Sequence, residues 1–282
     1  GRQIHVIDVG QAQPDPRLPP LIFIHGAFGA AEDFAVSIIP ELARRYRCIA
    51  IDRPGHGYSA RQPAGGQDTA PLTPALQAEI LRGTLHALQV TERPVLVGFS
   101  LGAAVALAWG LEHPEEIAGL MLINPASHPW PTPVETGYEM PAWPIVGPLL
   151  LHTIVTPAGH LMKNSGTRNV FSPSAVPESY ARAPLELALR PGSYAANAED
   201  IRSLKAFLHS QAPRYPDLRA PLTILASDID NAASPIIHAR PLAAQVPNAV
   251  LIETTGGGHP LHFSRPETVI QAIDDLVDRL RR

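Results

Sequence analysis

Pro94-Val95-Leu96-Val97-Gly98-Phe99-Ser100-Leu101-Gly102-Ala103 runs from a short β-type apolar stretch, through a serine with a glycine two residues to either side, into an alanine-rich helical pattern that reaches Trp109. A Gly-x-Ser-x-Gly between a strand and a helix is the pattern of a nucleophile elbow. The serine has to stand on a turn tight enough to lift its hydroxyl clear of the sheet. Glycines at 98 and 102 remove the side chains that would collide there. The five-residue pattern alone arises often by chance. The strand before it and the helix after it give it weight.

Outward from that turn, short apolar runs alternate with longer helical patterns. This predicts an α/β fold with a mostly parallel central sheet and helices on both faces. The candidate strands are 4–9, 21–24, 47–52, 94–98, 119–124, 222–226 and 249–253. Thr73 reads as a helix N-cap with Pro74 as the first helical residue, and Leu76, Ile80, Leu81, Leu85 and Leu88 as the apolar face. In the last helix, Ser264 and Glu267 read as a capping box ahead of a stripe of Val269, Ile270, Ile273, Leu276, Val277 and Leu280. Residues 126–219 break the rhythm. They are rich in proline, have no clean strand and far exceed an ordinary crossover. They also carry Trp130, Trp143, Phe171, Tyr180 and Phe207, too apolar for a disordered linker. The expectation is a core of residues 1–125 and 220–282 with an inserted, mainly helical cap at 126–219.

The 282 residues suffice for one large α/β domain or two modest ones. A chain that is 45% hydrophobic and 17% charged, with a net charge of -4 and no basic block, gives no electrostatic case for nucleic acid. The single cysteine, Cys48, reads as a small buried apolar residue and leaves the redox compartment open. The opening Gly1-Arg2, without methionine, reads as a processed or trimmed start. It leaves any signal or anchor out of view, a cytoplasmic location being the default otherwise. The most membrane-like stretch, 140–162, is interrupted by Pro141, Pro144, Pro148 and Pro157 and contains His152 and His160, so no stable membrane span is expected. Oligomeric state is not legible.

A serine hydroxyl needs a base, and the base needs an orienting acid. For this elbow both are expected later in the chain, in the order serine, aspartate, histidine. Gly256-Gly257-Gly258-His259-Pro260 follows the last predicted strand and favours His259 as base. His262 is the rival, otherwise packed on a helix start. Ser227-Asp228-Ile229-Asp230 follows the preceding strand and favours Asp230 as acid, ahead of a turn leading to Ser234 as N-cap and Pro235 as first helical residue. Asp228 is the rival, otherwise a turn residue accepting backbone hydrogen bonds. For the oxyanion, the Leu101 amide at a helix N-terminus is one expected donor and the Ala27 amide, in His25-Gly26-Ala27-Phe28-Gly29, the other, with Phe28 as fallback.

Taken together, His25-Gly26, Asp52-Arg53-Pro54-Gly55-His56-Gly57-Tyr58-Ser59, Gly98-Phe99-Ser100-Leu101-Gly102, Asp230 and Gly258-His259 resemble the α/β-hydrolase family, in its serine-nucleophile, esterase-like branch with a cap. The likeness covers the core. It implies a triad of Ser100, Asp230 and His259, and it implies that Asp52 to Ser59 is a structural loop in which Asp52 and His56 take part in turn hydrogen bonding rather than chemistry. Relatives that open epoxides or displace halide use an aspartate nucleophile, so Ser100 argues against both, whatever Tyr138, Tyr180 and Tyr194 suggest. Asn124 occupies the place where some relatives carry the triad acid, which again favours Asp230.

The expected chemistry is hydrolysis of carboxylic esters through an acyl-enzyme on Ser100, without cofactor. No metal site is expected, there being no His-x-x-x-His helix and no cysteine cluster. Hydrophobic, short- to medium-chain esters fit an apolar pocket lined by Phe28, Phe99, Trp130, Trp143 and Leu150, and a polyester fits if the cap leaves a groove. The same triad also suits a carbon–carbon bond hydrolase, a lactonase, or a proline iminopeptidase-like enzyme using Glu135, Glu139, Glu178 or Glu186 to hold an amine. Outside enzymes, the alternative is a ligand receptor with vestigial turnover.

Overall fold

In the computed structural model, which describes residues 2–10, 15, 17–61 and 71–282, one sheet of seven strands forms among the described residues. Gly1, read above as a trimmed start, lies outside them. The strands are β1 (Val6–Val9), β2 (Leu21–Ile24), β3 (Cys48–Ile51), β4 (Val95–Phe99), β5 (Gly119–Ile123), β6 (Leu222–Ser227) and β7 (Val250–Thr254). Each coincides with a predicted run to within two residues at either end. Their spatial order is β1-β3-β2-β4-β5-β6-β7. Every pairing is parallel except β1 with β3, where Val6 faces Ile51 and Val9 faces Cys48.

The central strands are apolar on both sides because both faces are covered. Ile22, Ile24 and Leu96 point into one core, Leu21, Phe23, Val95 and Val97 into the other. The principal helices are α1 (Ala31–Ala35), α2 (Pro74–Ala87), α3 (Leu101–Glu112), α4 (Thr156–Phe171), α5 (Pro191–Gln211), α6 (Ala239–Gln245) and α7 (Pro266–Leu280). All ten residues of α3 from Leu101 to Gly110 are buried, so it is apolar all round rather than amphipathic. α2 and α3 pack on the first face, while α1 and α7 pack on the second. Cys48 is fully buried, and burial pushes its thiol up to about 12.

Three helix details differ from the sequence reading. Thr73 caps α2 as expected, its side chain accepting from the Leu76 amide at 3.3 Å. The buried face of α2, however, is Pro74, Gln77, Ala78, Leu81 and Leu85, and Leu76 is exposed. Pro266 takes the first position of α7, which makes Arg265 the N-cap. The Ser264 hydroxyl donates instead to the Gly257 carbonyl at 2.6 Å, so the Ser264–Glu267 capping box does not form. Helix α6 begins at Ala239 after His238 rather than at Pro235, because Ser234 and Pro235 first close separate turns with Ile237, His238 and Arg240.

Between β5 and β6, residues 124–221 contain helices and no strand among those described, including α4 and α5. Among the described residues, no helix is long and apolar enough to cross a membrane.

Candidate active site

Chain order and sheet order reverse between β2 and β4: the chain leaves β2 for β3 on one side and returns to β4 on the other. In an open parallel sheet the carboxyl ends at such a reversal form a crevice. The loop after β2, His25 to Gly29, and the turn after β4, at Ser100, meet there. A Cβ added at Gly26 would lie 2.9 Å from the Ser100 Cβ and 3.0 Å from the Phe99 ring.

Ser100 has φ 53° and ψ -118°, a strained conformation for a residue with a side chain. The strain is held from both sides. The Ser100 amide donates to the Ile123 carbonyl at 3.0 Å, and its carbonyl accepts from Ala103 and Ala126. A Cβ at Gly102 would sit 2.1 Å from the Ile24 carbonyl oxygen, so glycine alone lets α3 start this close to β2. Leu101 opens α3, and no side chain caps it. Among the described residues, neither the Leu101 nor the Ala27 amide donates to a protein acceptor. The Phe28 amide does: it donates to Asn197 Oδ1 at 2.7 Å. Among the described residues, the Ala27 and Leu101 amides are thus both without a protein acceptor, unlike that of Phe28.

Asp230 and His259 are brought together. His259 Nδ1 donates to Asp230 Oδ2 at 2.7 Å, and Asp230 Oδ1 accepts from the Ala232 and Ala233 amides at 2.8 and 2.9 Å. Burial alone would raise the Asp230 carboxyl, but His259 and the two amides outweigh it and hold it below the usual carboxylate range. The His259 ring lies 4.8 Å from the ring of Phe99, the residue before the serine. No hydrogen bond joins the Ser100 hydroxyl to His259 among the described residues, and Nε2 of the imidazole is not engaged.

The rivals fall elsewhere. Asp228 is exposed and accepts from the Gly256 amide at 2.7 Å, a turn role. His262 is buried among the rings of Phe34, Phe99 and Phe263, and burial pushes it down to about 3. Asp52 accepts from Ala31 at the start of α1, from Tyr58, and from His5. His56 makes the turn bonds expected of it, its amide donating to the Arg53 carbonyl at 3.0 Å and its carbonyl accepting from the Ser59 amide at 2.9 Å, and its ring reaches further. Its Nε2 meets Asp200 Oδ2 of α5 at 2.9 Å, and burial with Arg53 nearby pushes it down to about 4, so the neutral ring donates to the carboxylate.

Among the expected pocket residues, Phe28 packs against Tyr138 and Tyr194, with ring centroids 6.1 and 5.5 Å away, and Phe99 lies against His259. Trp130 packs on the core with Lys205 over its ring, and Leu150 is half-buried. Trp143 is 44% exposed and opens to the surface with Ile145, Val146 and Leu149. Tyr180 packs on Phe171 and Phe263. Glu186 is engaged by Lys163 and His160. Among the described residues, two groups bring carboxylates and a histidine within 4.8 Å, His5 with Glu32 and Asp52, and His113 with Glu115 and Glu116; neither contains Ser100, Asp230 or His259.

Sequence reasoning missed three positions. Asn124 follows β5 directly, with φ 41°. Its amide donates to the Gly258 and His259 carbonyls at 3.1 and 2.6 Å, and its carbonyl oxygen accepts from Ser227 at 2.8 Å. It fastens the histidine loop to the sheet. Asn197 and Asp200 reach the His25–Gly29 loop from α5, directly and through Arg53. Their polarity within a helix gave no hint that both would be buried.

A sequence profile of the Alpha/beta hydrolase family matches residues 21–272. The chain belongs to the alpha/beta hydrolase family. Within it, the chain is 37% identical over 114 residues to 2-hydroxymuconate semialdehyde hydrolase of Pseudomonas sp. (strain CF600), a match spanning 40% of this chain and 38% of that one. It is 26% identical over 266 residues to 2-(acetamidomethylene)succinate hydrolase of Mesorhizobium japonicum, covering 92% of this chain and 88% of the relative. Among solved structures, the enol-lactonase from Burkholderia xenovorans LB400 superposes with a TM-score of 0.73 at 18% identity, over 98% of this chain and 97% of that one. This alpha/beta hydrolase therefore has hydrolases among its relatives.

Proposed function

We propose that the protein is a serine hydrolase that cleaves carboxylic esters through an acyl-enzyme on Ser100, with His259 as base and Asp230 as orienting acid. One observation carries the reading: His259 Nδ1 is paired with the buried Asp230 at 2.7 Å, its Nε2 is free, and its ring lies tilted against Phe99, the residue preceding the elbow serine. Unliganded sites often leave the catalytic bond long, and it tightens when substrate binds. His259 takes the Ser100 proton as the oxygen attacks the carbonyl, and the Asp230 carboxylate stabilises the imidazolium. The Leu101 and Ala27 amides receive the oxyanion, each such donor contributing about 100- to 1000-fold to turnover. The alcohol leaves with the proton from His259, and water clears the acyl group by the reverse sequence.

Residues 126–219 act as a cap over this crevice. Phe28, Phe99, Tyr138 and Tyr194 form an aromatic wall suited to uncharged, hydrophobic acyl or alcohol groups. The muconate-semialdehyde hydrolase and the enol-lactonase favour a second reading, in which the same triad cleaves a carbon–carbon bond or a lactone. Parallel assays of p-nitrophenyl esters, lactones and dienone acids, each with wild type and Ser100→Ala, separate the two. Ester turnover that exceeds the others and collapses in the variant supports esterase function. Turnover confined to dienone acids or lactones replaces it.

A further inference from the structure

The amide of Ala27 is aimed by the two peptide planes on either side of it, and both are gripped by helix α5. A trans peptide points its N–H opposite its C=O, so whatever holds the Gly26 carbonyl directs the Ala27 amide. That carbonyl accepts from Arg53 Nη2 at 3.0 Å and from His25 Nδ1 at 2.8 Å. The Arg53 guanidinium also donates to the His25 carbonyl at 3.0 Å, and Asp200 of α5 fixes its far side at 2.6 Å. The next plane, between Ala27 and Phe28, is held by its own amide, which donates to Asn197 Oδ1 at 2.7 Å. Asn197 cannot swing away, because its Nδ2 donates one turn back to the Ser193 carbonyl at 3.0 Å. Asn197 and Asp200 are three residues apart, so they share one face of α5, and both are buried. Phe28, with φ 55°, occupies a left-handed conformation that a residue with a side chain holds only when its surroundings insist.

We infer that α5 sets the oxyanion hole, with Asn197 and, through Arg53, Asp200 as positioning residues that keep the Ala27 amide turned toward the Ser100 turn. The inference rests on the hydrolase reading above. Without Asn197 Oδ1, the Phe28 amide loses its protein acceptor among the described residues, and the Ala27–Phe28 peptide no longer braces the loop that carries the Ala27 amide. Neither residue touches the reacting atoms. Their effect therefore falls on transition-state stabilisation rather than on ground-state binding, since the oxyanion exists only during reaction.

The test uses three variants: Asn197→Leu, which keeps the volume without the acceptor; Asn197→Ser, which stays small and polar but draws the acceptor back from Phe28; and Asn197→Asp, which keeps the acceptor. Wild-type Ser100 is first labelled with a fluorophosphonate; a wild-type protein that takes no label refutes the hydrolase reading itself. Given labelling, Asn197→Leu and Asn197→Ser are expected to lose kcat on a p-nitrophenyl ester by roughly 10- to 100-fold, with KM within about threefold. The affinity for a trifluoromethyl ketone should weaken by a similar factor, and Asn197→Asp should retain more turnover than either. A folded Leu or Ser variant with unchanged kcat, a loss confined to KM, or an equal loss in all three variants overturns the inference.

Discussion

Replacing Asp200 by asparagine strands a buried charge, and its cost can be worked from the geometry. The side chains of Arg53 and Asp200 are 0% and 1% exposed and 2.6 Å apart. Two unit charges at that distance attract by roughly 6 kcal/mol at an effective dielectric of about 20, and much of that is offset by removing both from water. Burial works against the Arg53 charge. Burial would likewise raise the Asp200 carboxyl, yet Arg53, His56 and Arg61 overcome it and hold the group well below the usual carboxylate range. Removing one partner of a buried pair costs about 3–5 kcal/mol. Arg53 would keep its bonds to Gln77 and to the His25 and Gly26 carbonyls, which places the expected loss at the lower end, about 3 kcal/mol. At about 2–4 °C per kcal/mol for a chain of this size, Tm falls by roughly 6–12 °C.

The pH dependence follows from the sign of the shift. A depressed carboxyl contributes stability that is complete above its unfolded value, about 3.9, and is lost as pH falls through the lower folded value. The gap between wild type and Asp200→Asn should therefore be full at pH 7 and narrow steadily below about pH 4. Urea unfolding followed by far-ultraviolet circular dichroism across that range measures it. A loss under about 1 kcal/mol at pH 7, or a gap that stays constant in acid, would refute the reasoning.

Three further substitutions follow, two in the site's framework and one as a control in α2. Gly102→Ala places a methyl group 2.1 Å from the Ile24 carbonyl oxygen and 2.6 Å from that of His25, so soluble yield should collapse. Gly83→Ala in α2, where a Cβ meets nothing within 4 Å, should instead stabilise by about 0.5–1 kcal/mol, read as a rise in Tm. Asn124→Ala removes the partner of the Gly258 carbonyl and of the Ser227 amide and one of two from the His259 carbonyl, costing about 1–3 kcal/mol. As the His259 loop loosens, kcat should fall while KM holds, measured on the best ester of the panel.

The sheet was legible because its strands are buried on both faces and bounded by turn residues, so the apolar runs announce themselves without reference to neighbours. The elbow was legible for a similar reason. Strand, glycines and serine are local, and close approach to β2 leaves the chain no other residue at 102. Loop position relative to the strand ends favoured Asp230 over Asp228 and His259 over His262; in the structure Asp230 and His259 pair with each other, while Asp228 sits in a turn and His262 packs among rings. The helix starts near Ser234 and Ser264 were misread where a proline or a competing carbonyl changed the partner, as when Ser264 bonded Gly257 instead of capping. The buried face of α2 was misread because only its apolar residues were counted toward it, whereas Leu76 is exposed and Gln77 is buried against Arg53. Asn124, Asn197 and Asp200 were illegible in these roles because their partners across the fold lie 103 to 169 positions away in the chain, and polarity alone says nothing about burial.

The account stands or falls on whether Ser100 is the nucleophile that His259 activates. Treatment with a fluorophosphonate followed by peptide mapping measures this directly in wild type, Ser100→Ala and His259→Ala. The expected result is one phosphonyl group on the Ser100 peptide of the wild type, none at any position in Ser100→Ala, and labelling slowed by orders of magnitude in His259→Ala. A label on another residue, or equal rates with and without the imidazole, contradicts it.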